Sequence, residues 1–239
     1  MYDPLDLAEF IGRRRNDLAE LGLTLQTRDD FDALYALDLP GKTVSPMFSP
    51  AHHDLLDQRA RWICGTIEGQ IVHVQAYRVI DTGASTMERA LVSEFARIFG
   101  KPSAVPIGTI ADALAEMRGR VVYHGDLWCH ESLRGTGAGE KLGAIGVGSA
   151  MLGFDPDYVI GFMEQPLAGR GFFFREGYFH IEPLGSGWRR GAPFLLENDW
   201  LVYCSRSSLR KLVMRDAQQN RVKQPVTLFE PRVMGNTSR

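Results

Sequence analysis

The sequence predicts an α/β (α+β) fold: a central mixed, mostly antiparallel sheet flanked by helices, with an N-terminal helix and a helical insertion. Three observations carry this prediction. Residues Arg61 to Ile80 read as strand, tight turn and strand. Further on, a strand passes through a glycine-rich turn into a helix and then another strand, the pattern of a crossover. Helical periodicity also appears outside that order, in Pro4 to Leu21 and within residues 81–118.

Taken in order, Leu7, Phe10, Ile11, Leu18 and Leu21 recur near the helical period, and Gly22 ends that helix. Arg13-Arg14-Arg15 is expected on its solvated face. Leu23 to Thr27 alternates as a short strand, and Asp29-Asp30 open a helix through Leu37. A proline-bearing loop runs from Pro40 to Pro50, and a helix is expected near His52 to Ala60. In the hairpin, Arg61 to Ile67 and Gln70 to Ile80 flank Glu68-Gly69. Val72, Val74 and Ala76 share one face of the second arm; His73, Gln75 and Tyr77 share the other, which could line a cleft.

The insertion 81–118 is expected to hold helices Ser85 to Phe99 and Thr109 to Met117, joined by Lys101-Pro-Ser-Ala-Val-Pro106. There follow a strand from Arg120 to about His130, a glycine-rich loop and helix from Leu133 to Leu152, and a strand from Tyr158 to Met163. A helix near Leu167 to Glu176 and strands Tyr178 to Leu184 and Asp199 to Arg206 complete the order. The expected organisation is an N-terminal extension (1–22), a main domain (23–206) and a basic C-terminal extension (207–239).

With 239 residues, 44% of them hydrophobic and 23% charged, the chain can bury a full core. No apolar run approaches the ~20 residues needed to cross a bilayer, and the first residues lack a signal peptide's pattern, so a cytoplasmic protein with no membrane partner is expected. Cys64, Cys129 and Cys204 contain no CxxC pair, and the six histidines offer no HxxxH or HExxH spacing, so no metal is expected. The net charge of −2 hides an asymmetry: residues 206–239 hold eight Lys/Arg and two Asp/Glu. Without a recognisable nucleic-acid-binding motif, that end is expected to fold back on an acidic body or stay solvated rather than bind nucleic acid.

The chemistry concentrates in Val121-Val-Tyr-His-Gly-Asp-Leu-Trp-Cys-His-Glu-Ser-Leu-Arg-Gly-Thr-Gly-Ala-Gly-Glu-Lys-Leu142. A strand, glycine loop and helix start present free N–H groups and a positive dipole end to an anion. The helix beyond is rich in small residues (Gly143, Ala144, Gly146, Gly148, Ala150), which lets it lie close to the sheet or a cofactor. A P-loop's GxxxxGK[ST] is absent, and Gly135-x-Gly137-x-Gly139 is not the GxGxxG of a dinucleotide fold. From the loop alone, a turn that binds nothing remains an alternative.

Arg134-x-x-Gly137-x-Gly139 resembles the R/Q-x-x-G-x-G/A motif of the GCN5-related N-acetyltransferase (GNAT) superfamily at all three defining positions. Gly171-Phe-Phe-Phe-Arg-Glu-Gly-Tyr178 resembles that family's small-x-x-Tyr-x-Lys-x-Gly-Phe segment at the expected separation, and the element order from Leu23 to about Arg206 is similar. The resemblance implies acetyl-CoA or another acyl-CoA as cosubstrate and transfer of the acyl group, most simply acetyl, to a primary amine by direct attack. It implies that the backbone of Leu127, Trp128 and Cys129 pairs with the pantetheine arm. It also implies that Arg134 and the amides of Gly135, Thr136, Gly137, Ala138, Gly139 and Glu140 hold the pyrophosphate.

The match departs from the family where proton transfer is concerned. Phe173 stands where a tyrosine acid often serves, Tyr123 at the position of a glutamate base, and Pro166 in place of an asparagine. Tyr123, His73 or Glu131, through water, is the expected proton acceptor. The alternative is a non-catalytic GNAT-like module that senses acyl-CoA or binds a partner. The acceptor is a small-molecule or protein amine, and the appended segments are expected to shape its pocket or a homodimer contact.

Overall fold

The computed structural model describes residues 3–55, 59–100, 110–185 and 198–223, the last five as backbone only. Helix α1 (Pro4–Ala19) starts where Asp3 accepts from Leu5 N at 2.9 Å and proline occupies the first turn. Strand β1 (Thr24–Arg28) follows, then α2 (Phe31–Tyr35), capped by Asp30, which accepts from Ala33 N at 3.1 Å. Strands β2 (Ala60–Ile67) and β3 (Gln70–Asp81) form the expected hairpin. Its two-residue turn has both members left-handed, Glu68 at φ 49° and Gly69 at φ 80°, the geometry that matches strand twist.

Helix α3 (Met87–Phe99) begins on the Thr86 cap and ends at Gly100, φ 65°; α4 (Asp112–Glu116) is short. The linker expected between them, residues 101–106, lies outside the described residues. Strand β4 (Arg120–Cys129), a 3-10 turn (Glu131–Leu133) and α5 (Ala138–Phe154) lead to β5 (Tyr158–Glu164). Two short helices, α6 (Gln165–Gly169) and α7 (Phe172–Arg175), precede β6 (His180–Pro183), β7 (Asp199–Ser205) and α8 (Arg206–Lys223).

The seven strands form one sheet in the order β1-β2-β3-β4-β5-β7-β6. Every neighbouring pair is antiparallel except β4 with β5, joined by the α5 crossover. The architecture is thus the mixed, mostly antiparallel sheet flanked by helices that the sequence predicts. One face packs Phe31 and Leu34 of α2, Met47 and Phe48 of the loop before β2, Trp62 of β2, Leu91 and Phe95 of α3 and Leu114 of α4. The other packs Leu7, Phe10 and Leu18 of α1 with Leu142, Val147 and Met151 of α5 and Leu209 and Val213 of α8. The N-terminal helix is therefore part of the main core.

Three local expectations are corrected. Residues 51–55 form turns and bends, not the start of a helix, and β2 begins at Ala60; residues 56–58 lie outside the described set. His53 turns inward, its Nδ1 3.1 Å from Glu94 on α3, and that long-range contact outweighs local helix preference. The helix expected near Leu167 to Glu176 is two pieces, because Gly171 takes φ 68° between them. The arginine triplet is not simply solvated. Arg13 and Arg14 both pair with Asp216 of α8, and Arg15 donates to Leu25 O at 3.4 Å. The basic C-terminal segment folds back on α1 as far as it is described, and residues beyond 223 are outside the described set.

Candidate active site

The sheet opens between β4 and β5. Their parallel pairing spans only Val121–Tyr123 against Tyr158–Ile160. Beyond it, Asp126 adopts φ 52°, and the register against β3 slips so that Gln75 faces both Asp126 and Leu127. An extra residue in one strand bends it and strengthens its twist, so β4 leans away from β5 and the sheet forks. A cavity of about 190 Å³ fills the fork, walled by His124 to Leu127 on β4, Gly161 to Glu164 on β5, and Lys42, Leu167, Phe172, Glu176, Tyr178 and Val202. Beyond Tyr123, β4 keeps β3 on one edge, and its other edge, carrying Leu127, Trp128 and Cys129, meets no strand among the described residues.

At the end of β4 the chain enters the glycine loop. Gly135 and Gly137 both take φ 75°, and a Cβ added at either would meet nothing within 4 Å. Their backbone is therefore open to a ligand. Two amides of this stretch are already engaged: Thr136 N donates to Leu133 O at 3.4 Å, and Ala138 N donates to Thr136 Oγ1 at 3.2 Å. First-turn N–H groups have no carbonyl within their own helix. Gly139 and Glu140, with Gly135 and Gly137 of the loop, are the donors left for an anion at the positive end of α5. Arg134 and Glu131 are both exposed beside this loop.

Buried polar groups line the fork. Asp126, 6% exposed, takes Ser45 N at 2.9 Å on Oδ2 and the Lys42 ammonium at 2.6 Å on Oδ1. Burial raises its pKa, and Lys42 pulls the other way. His124 lies under α5 with its Nδ1 2.7 Å from the Tyr178 hydroxyl and its Nε2 2.8 Å from Gln75 Oε1. Gln75 Nε2 donates to Leu142 O at 2.8 Å. Burial lowers the His124 pKa to about 4 and drives that of Tyr178 far up, so both rest neutral. Glu176, 3% exposed, is raised well above the ordinary carboxyl range by burial and then by Glu140.

The proton acceptors suggested by the sequence are not gathered here. Tyr123 is in the core, stacked on Phe48 and tilted against Phe162, each at 5.4 Å, and burial pushes its pKa upward. His73 is fully buried with Nδ1 2.7 Å from Trp128 O, and burial holds its pKa down at about 3. Neither walls the fork cavity, because strand alternation and the Asp126 bulge turn them elsewhere. The Cys129 thiol is pushed up to about 12 by burial, which disfavours the thiolate form a nucleophile needs. Phe172 walls the fork, the half-buried Phe173 packs against the core and Phe174 is 54% exposed. Among the described residues no cluster of three or more His, Cys, Asp or Glu could hold a metal ion, and no helix is long and apolar enough to cross a membrane.

No family model matches the chain, and no curated protein matches it. Among solved structures, it is similar to a GNAT family acetyltransferase from Elizabethkingia anophelis with acetyl-CoA bound, at 10% identity and TM-score 0.41, covering 77% of this chain and 98% of that one. An IAA acetyltransferase from Bacillus cereus is similar at 11% identity and TM-score 0.43, over 77% and 99% of the two chains. So is yncA, a putative acetyltransferase from Salmonella typhimurium with acetyl-CoA, at 12% identity and TM-score 0.38, over 77% and 94%. The likeness is one of fold alone.

The sequence reading missed Lys42, His124, Asp126, Glu176 and Tyr178. A signal was present in Tyr-His-Gly-Asp, polar groups set inside an apolar strand. Nothing local marked Tyr178 as the group facing His124, since the two are separated by 54 residues.

Proposed function

We propose that this chain is a GNAT-type acyl-CoA-dependent N-acyltransferase, moving an acetyl or similar acyl group from the CoA thioester to a primary amine. The observation that carries this reading is the fork: a parallel strand pair that separates after three residues at a bulge, directly ahead of a glycine loop and helix start. The free edge of β4 at Leu127, Trp128 and Cys129 offers backbone groups to an amide-bearing arm, as an added strand would find them. The loop amides of Gly135, Gly137, Gly139 and Glu140 suit a diphosphate. The site fits such a ligand because side chains are missing where the backbone must be approached.

The acceptor would come to the fork from the side of Lys42 and Asp126. The Lys42–Asp126 ion pair gives that side of the fork a polar wall without net charge. Of the three residues suggested by sequence, Glu131 keeps solvent access and would take a proton only through water; Tyr123 and His73 are proposed as packing groups. Free thiol release from acetyl-CoA, measured across a panel of primary amines, tests the reading. Turnover with at least one amine is expected. Binding without turnover across the panel would favour the sensing module, and no calorimetric heat with CoA or acetyl-CoA would remove the reading altogether.

A further inference from the structure

The Tyr178–His124–Gln75 chain has a direction that its partners fix. Leu142 O can only accept, so Gln75 presents its amide nitrogen to it and its Oε1 to the imidazole. An oxygen acceptor facing His124 Nε2 requires that Nε2 carry the hydrogen. In the neutral ring Nδ1 is then bare, and the Tyr178 hydroxyl must donate to it, at 2.7 Å. The Tyr178 proton is thus committed inward, and its oxygen presents lone pairs to the fork. Gly161 places no side chain against that oxygen, where a Cβ would lie 3.0 Å from Tyr178 Oη and 3.0 Å from His124 O, and Tyr178 is one of the residues that wall the fork cavity.

Resting on the acyltransferase reading above, we propose that Tyr178 is the catalytic base and acid of this site, with His124 as its proton store and Gln75 as the residue that sets the imidazole's tautomer. As the amine nitrogen bonds to the thioester carbonyl carbon, its proton passes to Tyr178 Oη while the Tyr178 proton moves to His124 Nδ1. The resulting imidazolium keeps Nε2–H on Gln75 Oε1. When the carbon–sulfur bond breaks, the leaving sulfur takes a proton from Tyr178 Oη, and His124 Nδ1 returns the one it held. One proton has moved from nitrogen to sulfur, amide and CoA thiol are released, and the side chains are unchanged. A buried imidazole holds a proton poorly, and that favours its return. The arrangement supplies the acid that Phe173 cannot.

Two measurements test this. In protein carrying nitrogen-15 histidine, the His124 signals, assigned by their loss in His124→Asn, should show a protonated Nε2 and a bare Nδ1. Gln75→Leu should abolish that preference. With acetyl-CoA and hydroxylamine, a nucleophile small enough for any acceptor pocket, Tyr178→Phe should lower kcat by ~10²-fold or more. Its affinity for acetyl-CoA, read by calorimetry, should stay within about twofold, since the cofactor contacts are elsewhere. The opposite tautomer, or a Tyr178→Phe enzyme within about threefold of wild type, would overturn the relay. Wild-type binding of acetyl-CoA without turnover would overturn it too while sparing the cofactor reading; no binding at all would overturn both.

Discussion

Gly146 of α5 lies directly over the hydrogen bond between Gln75 and His124: a Cβ built there would overlap Gln75 Oε1 and lie 2.5 Å from His124 Nε2. The glycines of this helix are therefore positional. Gly143 makes room for the Glu176 carboxyl, Gly146 for the polar pair, and Gly148 for Ile11 and Leu7 of α1. A helix of larger residues would stand off the sheet and lose all three contacts.

Gly146→Ala should accordingly break the Gln75–His124 bond before it breaks the fold. Overpacking of this kind costs about 1–3 kcal/mol. Acetyl-CoA affinity should stay close to wild type while kcat falls, and the His124 tautomer preference should be lost. An unchanged kcat in a folded variant would contradict the placement of this pair in the chemistry.

Glu176 gives a pH signature. Burial and the nearby Glu140 raise its pKa well above the ordinary 4.5, so the folded chain keeps a proton that the unfolded chain has released. For a raised carboxyl, stability is greatest below the unfolded value and falls as pH climbs towards the folded one. The slope is about 1.4 kcal/mol per pH unit for one group. Glu176→Gln, which carries no such proton, should gain urea midpoint relative to wild type as pH rises above the ordinary carboxyl value. A gap that stays constant or narrows with rising pH would show that the carboxyl is ionised in the folded state.

Glu94 ties the 81–118 insertion to the sheet. It pairs with buried Arg78 of β3, and His53 and Arg97 add contacts at 3.1 and 3.4 Å. Burial opposes the carboxylate, but His53 and Arg78 together hold it down at about 2. Arg78 is itself lowered by burial; a guanidinium starts so far above neutrality that it stays charged, and the carboxylate's direction governs the pair. Glu94→Gln leaves a buried cation uncompensated and should cost about 3–5 kcal/mol in urea unfolding. A loss below about 1 kcal/mol would mean that water already screens the pair.

What the sequence revealed and what it hid follow the range of each interaction. The β2–β3 hairpin was legible because Glu68-Gly69 sets the turn within two residues. The glycine loop was legible because its chemistry is backbone chemistry, which a spacing records. The His52 segment was misread because its conformation answers to Glu94, and the arginine triplet because Asp216 lies 203 residues from Arg13. Tyr123 was suggested by its place in the family resemblance, and alternation alone does not say that its neighbour His124 is the one facing the cleft. The bulge at Asp126, which opens the fork, has no side-chain signature in the sequence.

The central claim is that a diphosphate rests on the loop amides while an amide-bearing arm lies along β4. Backbone amide chemical shifts of nitrogen-15-labelled protein, followed during titration with CoA, test it most directly. The amides of Gly135, Gly137, Gly139 and Glu140, with Leu127, Trp128 and Cys129, should move together and saturate at one Kd. Shifts confined to other parts of the chain, or none at all, would contradict it.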